Sequence, residues 1–325
     1  MIVLSGGTGT PKLLLGLKKV LPWSELTVVA NTADDLWVSG NLVSPDLDTV
    51  LYTLAGMIDR SKWWGIEDDS FETHDFLSRL GFRELLAIGD IDRAVHIFRS
   101  ELLREGLTLS MATERLCKVL KIEEKVLPMT DDPVSTMVST PEGEMHLQEF
   151  WVGRGGRPEV KAVRFRGMED AHPALEFLAA LEKAKEDGEP VLIGPSNPVS
   201  SIGPILALRG IRNLLNEGKR KRSGEGKGEK GKKKIRVVAI SPLVGGKPLS
   251  GPAAKFMRAW GYPVSDQGVA DLLGCVDLLV VSPESDYQGH SVRLDTVMRD
   301  EEDSLRLAEE IVKILDEETE TEAET

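Results

Sequence analysis

Four carboxylates crowd into residues 34–48, as Asp34 and Asp35 in Asn31-Thr32-Ala33-Asp34-Asp35-Leu36-Trp37 and as Asp46 and Asp48 in Ser44-Pro45-Asp46-Leu47-Asp48-Thr49. Acids that converge beside a phosphate make a cradle for Mg²⁺, which takes a few protein oxygens together with phosphate oxygens and water. The plainer role is capping by Ser44, Asp46 or Asp48 of a helix that carries Val50, Leu51 and Leu54. Capping does not need all four acids. A place for the phosphate lies upstream, in Ser5-Gly6-Gly7-Thr8-Gly9-Thr10-Pro11-Lys12. Gly6, Gly7 and Gly9 present no Cβ to keep an anion from the N–H groups around Thr8, Pro11 pre-sets φ in the first helical turn, and Lys12 adds a point charge. The pattern is not diagnostic alone. Gly7-x-Gly9 lacks the third glycine of a dinucleotide reader, and Pro11-Lys12-Leu13 stands where a Walker motif has Gly-Lys-Ser/Thr.

An alternation of strands and helices must position these groups. Residues 2–4 are apolar on both sides, as in a strand buried between helix layers, and Leu13, Leu14, Leu17, Val20 and Leu21 follow at helical spacing. Residues 26–30 form a second strand. A right-handed crossover makes it parallel to the first, so its carboxyl end and the acidic loop face the glycine turn. Residues 59–120 read as mostly helical; Trp63-Trp64-Gly65 interrupts them, and paired tryptophans are expected in a core or an interface. Gly89-Asp90-Ile91-Asp92-Arg93, with His96 and Arg99 along one face, opens a helix that is either an ordinary solvated one or a source of groups for a second ligand. Residues 134–140 and 145–152 flank Pro141-Glu142-Gly143 as a hairpin. The fold is therefore expected to be α/β, with a mostly parallel sheet flanked by helices and a helical and β-hairpin insertion at about 60–165 that leans over the strand ends.

After a helix over 171–186, the strand 191–193 runs into Gly194-Pro195-Ser196-Asn197-Pro198-Val199-Ser200-Ser201, which is expected to bind an anion or a base. A tight connection rich in proline and glycine is its structural reading. Strand 236–240 leads to a third such loop at 241–252; strand 278–281 and a helix over 304–315 close the domain, predicted as one unit over 1–316. The run 217–234 is basic and of low complexity without an aromatic residue for stacking, so it is expected as an exposed loop, and 317–325 as an acidic, frayed tail.

The 325 residues are 41% hydrophobic, enough for a proper core, and the net charge of -13 argues against general nucleic-acid affinity. Cys117 and Cys275 are too few for a zinc cluster and too isolated for a disulfide framework. With no secretory pattern and no apolar run of ~20 residues to span a bilayer, a cytoplasmic protein is expected.

Taken together, residues 5–12, Asn-Thr-Ala-Asp-Asp-Leu-Trp at 31–37, Ser-Pro-Asp-Leu-Asp-Thr at 44–49, Gly-Asp-Ile-Asp-Arg-Ala at 89–94, Gly-Pro-Ser-Asn-Pro at 194–198 and Ser-Ile-Gly-Pro at 201–204 resemble the 2-phospho-L-lactate transferase family of coenzyme F-420 biosynthesis. The resemblance runs to about residue 316, with 217–234 and the tail as additions. It implies a Rossmann-like fold, a homodimer, Mg²⁺, and transfer of a phospholactyl or phosphoenolpyruvyl group from a guanosine diphosphate conjugate to the deazaflavin alcohol Fo, with release of GMP. It further implies that Asp34 and Asp48 hold the metal and that Fo is touched by Asp48, by Ala87 in the stretch before Gly89, and by Asp92. Gly6, Gly7, Thr8, Gly9 and Lys12 would then bind the diphosphate, with Asp48 and Lys12 as the catalytic pair. Asp48 is either metal ligand or base, and guanine is read by Ser196 and Asn197 or by the 241–252 loop. Two other classes fit less: a nicotinamide-dependent oxidoreductase needs an acid where Asn31 stands, and a non-catalytic nucleotide sensor has no use for clustered acids.

Overall fold

The computed structural model describes residues 1–217, 234–249 and 251–323, with side chains as far as Asp316. β1 (Ile2–Ser5) is buried along its length and turns into α1 (Gly9–Val20), where Leu13, Leu14 and Leu17 are fully buried. β2 (Thr27–Ala30) returns parallel to β1. The acidic stretch then makes a short hairpin, β3 (Leu36–Val38) and β4 (Asn41–Val43), ahead of α2 (Pro45–Leu54), with proline at its first position. Next come α3 (Glu72–Arg79), α4 (Asp90–Arg104) and α5 (Leu109–Leu120), and β5 (Lys125–Pro128) beside β2. β6 (Ser135–Thr140) pairs antiparallel with β7 (Gly143–His146) and with β8 (Ala162–Arg166), giving a separate small sheet. The second half runs through α6 (Leu175–Asp187), β9 (Val191–Ile193), α7 (Ile202–Ala207), α8 (Ile211–Leu215) and β10 (Val237–Ile240). A two-strand hairpin, β11 (Leu243–Val244) and β12 (Lys247–Pro248), leads to α9 (Ala253–Ala259), α10 (Asp266–Leu273), β13 (Leu278–Val281), β14 (Ser291–Arg293) and α11 (Glu301–Ala323).

The central sheet has seven parallel strands in the order β14-β13-β10-β9-β1-β2-β5. Alternate residues of each strand enter opposite cores. Leu4, Val29, Ile193 and Ala239 join Phe177, Ile205, Phe256 and Leu272 on one face; Val3, Val28, Leu192 and Val238 join Leu13, Leu47, Leu116 and Ile311 on the other. This is the period-2 packing of a sheet covered on both sides. Order reverses between β1 and β9, so the loops that leave their carboxyl ends are forced to be neighbours.

The α/β fold and the parallel pairing of the first two strands are as the sequence predicts, and the hairpin after residue 134 forms as well, although its second strand covers Gly143–His146 rather than 145–152 and Glu149–Gly153 is a π-helical turn. Three differences have physical causes. β5 and β14 escape a pattern reading because each is only a few residues long, and β5 ends in Pro128, which looks like a turn. β5 belongs to the central sheet although it falls within the stretch assigned to the insertion. The last helix continues to Ala323, past the end expected at 315, since no glycine or proline stops it. Most of the basic run at 217–234 lies outside the described residues, as do the last two residues of the tail. Cys117 and Cys275 are buried free thiols. Among the described residues no helix is long and apolar enough to cross a membrane.

α1 and α11 approach at a glycine. A Cβ on Gly16 would lie 2.1 Å from the Ser304 carbonyl oxygen. Gly16→Ala gains helix propensity worth ~1 kcal/mol but must push the helices apart, so a net loss of about 2 kcal/mol is expected. Urea unfolding should show a lower midpoint at an unchanged slope.

Candidate functional site

The glycine turn after β1 and the 194–204 loop after β9 touch at a distance no side chain would permit. A Cβ on Gly9 would lie 1.9 Å from the Pro195 carbonyl oxygen, one on Gly6 2.6 Å from Ser201 Cβ, and one on Gly194 2.0 Å from Thr10 Oγ1. Gly7 sits at φ +58°. Gly6 and Gly9 thus serve the contact between loops before they serve any anion. Ser196 Oγ lies 2.6 Å from Thr10 Oγ1 and donates to the Gly6 carbonyl, while Asn197 Oδ1 accepts from the N–H groups of Val199 (3.0 Å) and Ser200 (3.3 Å). The Ser196 hydroxyl and the Asn197 carbonyl, expected to meet a nucleotide, are spent on building this loop.

These loops, the acidic loop and α4 enclose a cleft of about 640 Å³. Gly7, Thr8, Gly9, Lys12, Asp34, Asp48, Ala87, Asp92, Ser196 and Asn197 all line it; Gly6 does not, being packed beneath. α1 starts without a side-chain cap and without an acid in its first turn, which leaves its first N–H groups facing the cleft. Lys12 is half buried, and burial lowers its pKa. Its ammonium has no carboxylate partner among the described residues and rests over the Trp63 ring, 5.1 Å from the centroid. Trp63, Trp64 and Trp151 line the cleft as well; Trp63 also packs partly against the core, as expected of the tryptophan pair.

The acids divide into two groups. Burial raises Asp34 well above the usual carboxylate range, helped by the charge of Asp46 and opposed by the side chains of Thr136 and Asn31, while among the described residues Asp34 Oδ1 is buried without a hydrogen-bond partner. Burial brings Asp46 to about 6, against the hydrogen bond from Asn31 Nδ2 at 2.8 Å. Asp35 is raised by burial and accepts from Ser44 Oγ at 2.6 Å; that hydroxyl therefore does not cap α2. Asp48 is the opposite case. Burial alone would raise it, but the fully buried guanidinium of Arg99, with His96 behind it, holds it at about 2. His96 Nε2 lies 3.1 Å from Asp48 Oδ2 and 3.0 Å from Asp92 Oδ1, and Tyr52 donates to Asp92 at 2.6 Å. Burial would lower His96, yet the two carboxylates outweigh it and bring the imidazole to about 9.

Ala87 is positioned by the preceding residue cluster. Glu84, its side chain wholly buried, takes both Arg93 nitrogens at 2.8 Å and faces His74 at 2.9 Å, which pins the 84–88 stretch to α3 and α4. Asp48, Asp92 and His96 each offer a ligand atom, all within 4.8 Å of one another, so this buried trio has the donors to hold a metal ion. Asp34, expected to share the metal with Asp48, is outside the trio and beside Asp46. Sequence reading missed the buried pairing of Arg99, His96 and Tyr52 with the acids; the only signal was the spacing of Asp92, His96 and Arg99 along one helix face.

The family model described as 2-phospho-L-lactate transferase CofD matches residues 1–317. The chain belongs to that family. Proteins named 2-phospho-L-lactate transferase are 49% identical in Methanosarcina acetivorans (97% of this chain, 99% of the relative), 46% in Methanopyrus kandleri (98% and 98%) and 42% in Halobacterium salinarum (94% and 94%). Among solved structures, a member of the UPF0052 family from Bacillus halodurans superposes with a TM-score of 0.61 at 20% identity, over 95% of this chain and 98% of that one. That likeness concerns the fold. Membership in the 2-phospho-L-lactate transferase family makes this a chain of a transferase lineage, and the cleft brings the glycine turn, Lys12 and the acidic residues together.

The His96 pairing sets a pH dependence. Its folded pKa of about 9 is above the unfolded value, so its stabilisation is full below pH ~6.5 and disappears as pH rises through 9. In chelator, the stability advantage of wild type over His96→Gln should shrink by on the order of 3 kcal/mol between pH 6.5 and 9.5. Urea unfolding of both proteins across that range checks it.

Proposed function

We propose that this cleft transfers a 2-phospho-L-lactyl group, or its enolpyruvyl analogue, from a guanosine diphosphate conjugate to the deazaflavin alcohol Fo, releasing GMP, as a step of coenzyme F-420 biosynthesis. The observation that carries the reading is the unpaired Lys12 and the uncapped start of α1 sharing one cleft with Asp34, Asp46, Asp48 and Asp92. Family membership supports it. The terminal ribityl hydroxyl of Fo attacks the phosphorus that bears the lactyl group; the new P–O bond forms as the bond to GMP breaks, and the hydroxyl proton leaves to solvent or to a carboxylate. Lys12 and the N–H groups at Thr8 and Gly9 stabilise charge on the bridging and leaving oxygens, and Gly7 joins them once Asp46, which its N–H engages, turns to a cation. Asp48, held at about 2 by its cations, is a weak proton acceptor, which favours a positioning or ligand role over that of base.

The acids fit Mg²⁺ in kind. Asp34 presents a buried oxygen without a partner, and Asp34 beside Asp46 is a carboxylate pair that a cation would ionise. Asp48 and Asp92 would add oxygens once His96 releases them. When bound, Mg²⁺ neutralises diphosphate charge. In this reading the flat ring of Fo lies against Ala87, and guanine against Asn197 or the loop after β10, all of which contribute lining residues to the cleft. A homodimer is part of the proposal: α3 buries none of its residues, and Phe76, Leu80 and Phe82 are exposed there. A nicotinamide reader gains no support, because Asn31 stands after β2 and its amide is engaged by Asp46.

Purified protein given Mg²⁺, Fo and the guanosine conjugate should release GMP, and mass spectrometry of the product identifies the better donor. Asp48→Asn should lower turnover on the order of 100-fold while nucleotide affinity stays near wild type. GDP binding without GMP release under these conditions contradicts the transferase reading.

A further inference from the structure

Trp63 stands out in the cleft wall for its backbone. It is a bulky residue at φ +60°, in the left-handed region that large side chains avoid, and such conformations persist where surroundings hold them for a purpose. The surroundings are a closed loop. The Trp63 N–H donates to the Asp59 carbonyl at 2.7 Å, the Asp59 N–H to Gly65 at 3.2 Å, and the Glu67 N–H to Met57 at 2.8 Å, while Ile58 and Ile66 form a bridge at the neck. The indole packs partly against the core under α1 and presents its face to Lys12 Nζ. The next indole is turned to a different cation: Lys62 Nζ lies 4.8 Å from the Trp64 ring and 2.7 Å from Asp59.

We infer that Trp63 is a positioning residue for Lys12, its ring face holding the ammonium beside the glycine turn, where no carboxylate among the described residues pairs with it. A carboxylate in that place would compete with the incoming phosphate. An aromatic face attracts the ammonium through its quadrupole and leaves the full positive charge available. Burial supports the arrangement, since the half-buried ammonium has lost part of its water shell. The inference rests on the reading of Lys12 as the phosphate cation.

Inorganic pyrophosphate, titrated calorimetrically into the full chain, separates the two. Lys12→Ala should weaken binding about tenfold and Trp63→Leu roughly three- to tenfold, with Trp63→Phe restoring most of the loss. The double variant K12A/W63L should bind no worse than K12A. Uniform fluorination of tryptophan, which draws charge from the ring face and keeps its shape, should weaken wild type but leave K12A unchanged; it carries the test alone should W63L unfold. If K12A binds pyrophosphate as well as wild type, the phosphate role of Lys12 fails and the inference falls with it. If K12A loses affinity but W63L and fluorination do not, or if the W63L loss adds in full to that of K12A, only the inference fails.

Discussion

The cleft depends on backbone meeting backbone where β1 and β9 end. Parallel pairing of these strands brings the glycine turn against the 194–204 loop, and the space between them admits no Cβ at positions 6, 9 or 194. The Ser196 hydroxyl, buried between them, ties Thr10 to the Gly6 carbonyl and so fixes both loops with one side chain. The turn is held from the far side, Asp46 engages the Gly7 N–H, and α1 starts without a side-chain cap. A phosphate site built this way is rigid before any ligand arrives, and preorganised donors of that kind cost no reorganisation when charge develops.

Charge in the cleft is arranged by contrast. Arg99 and His96 compensate Asp48 and Asp92, and both cations are buried on α4. Asp34 and Asp46 have no such cation and hold their protons more tightly, which is the state a divalent ion would reverse. Lys12 is the mirror case, a cation without a carboxylate partner among the described residues. Unbalanced groups of both signs, within one cleft, are what a charged substrate with its metal would complete.

Much of this was legible in the chain. The glycine turn, the four acids and the loop after the strand at 191–193 are contiguous motifs, and a parallel α/β reading brings them together without further information. The role of the glycines was not legible, since Gly6 meets Ser201, Gly9 meets Pro195 and Gly194 meets Thr10, all far apart in the chain. The spacing of His96 and Arg99 allows either a solvated helix face or groups for a ligand, and says nothing of Asp48, which only the fold places beside Arg99. Trp63 and Trp64 read as core or interface, and Trp63 does pack partly against the core, but composition says nothing of the cleft that both also line. The short strands β5 and β14 lacked the length that periodicity needs.

The central claim is that the glycine turn and the acids are the two walls of one transfer site. A crystal structure of the protein with GDP, Fo and Mg²⁺ tests it most directly. The account predicts the diphosphate against the N–H groups of residues 7–9 and Lys12 Nζ, and the ribityl hydroxyl of Fo on the side of Asp48 and Ala87. Diphosphate bound away from the turn, or Fo outside the cleft, would contradict it.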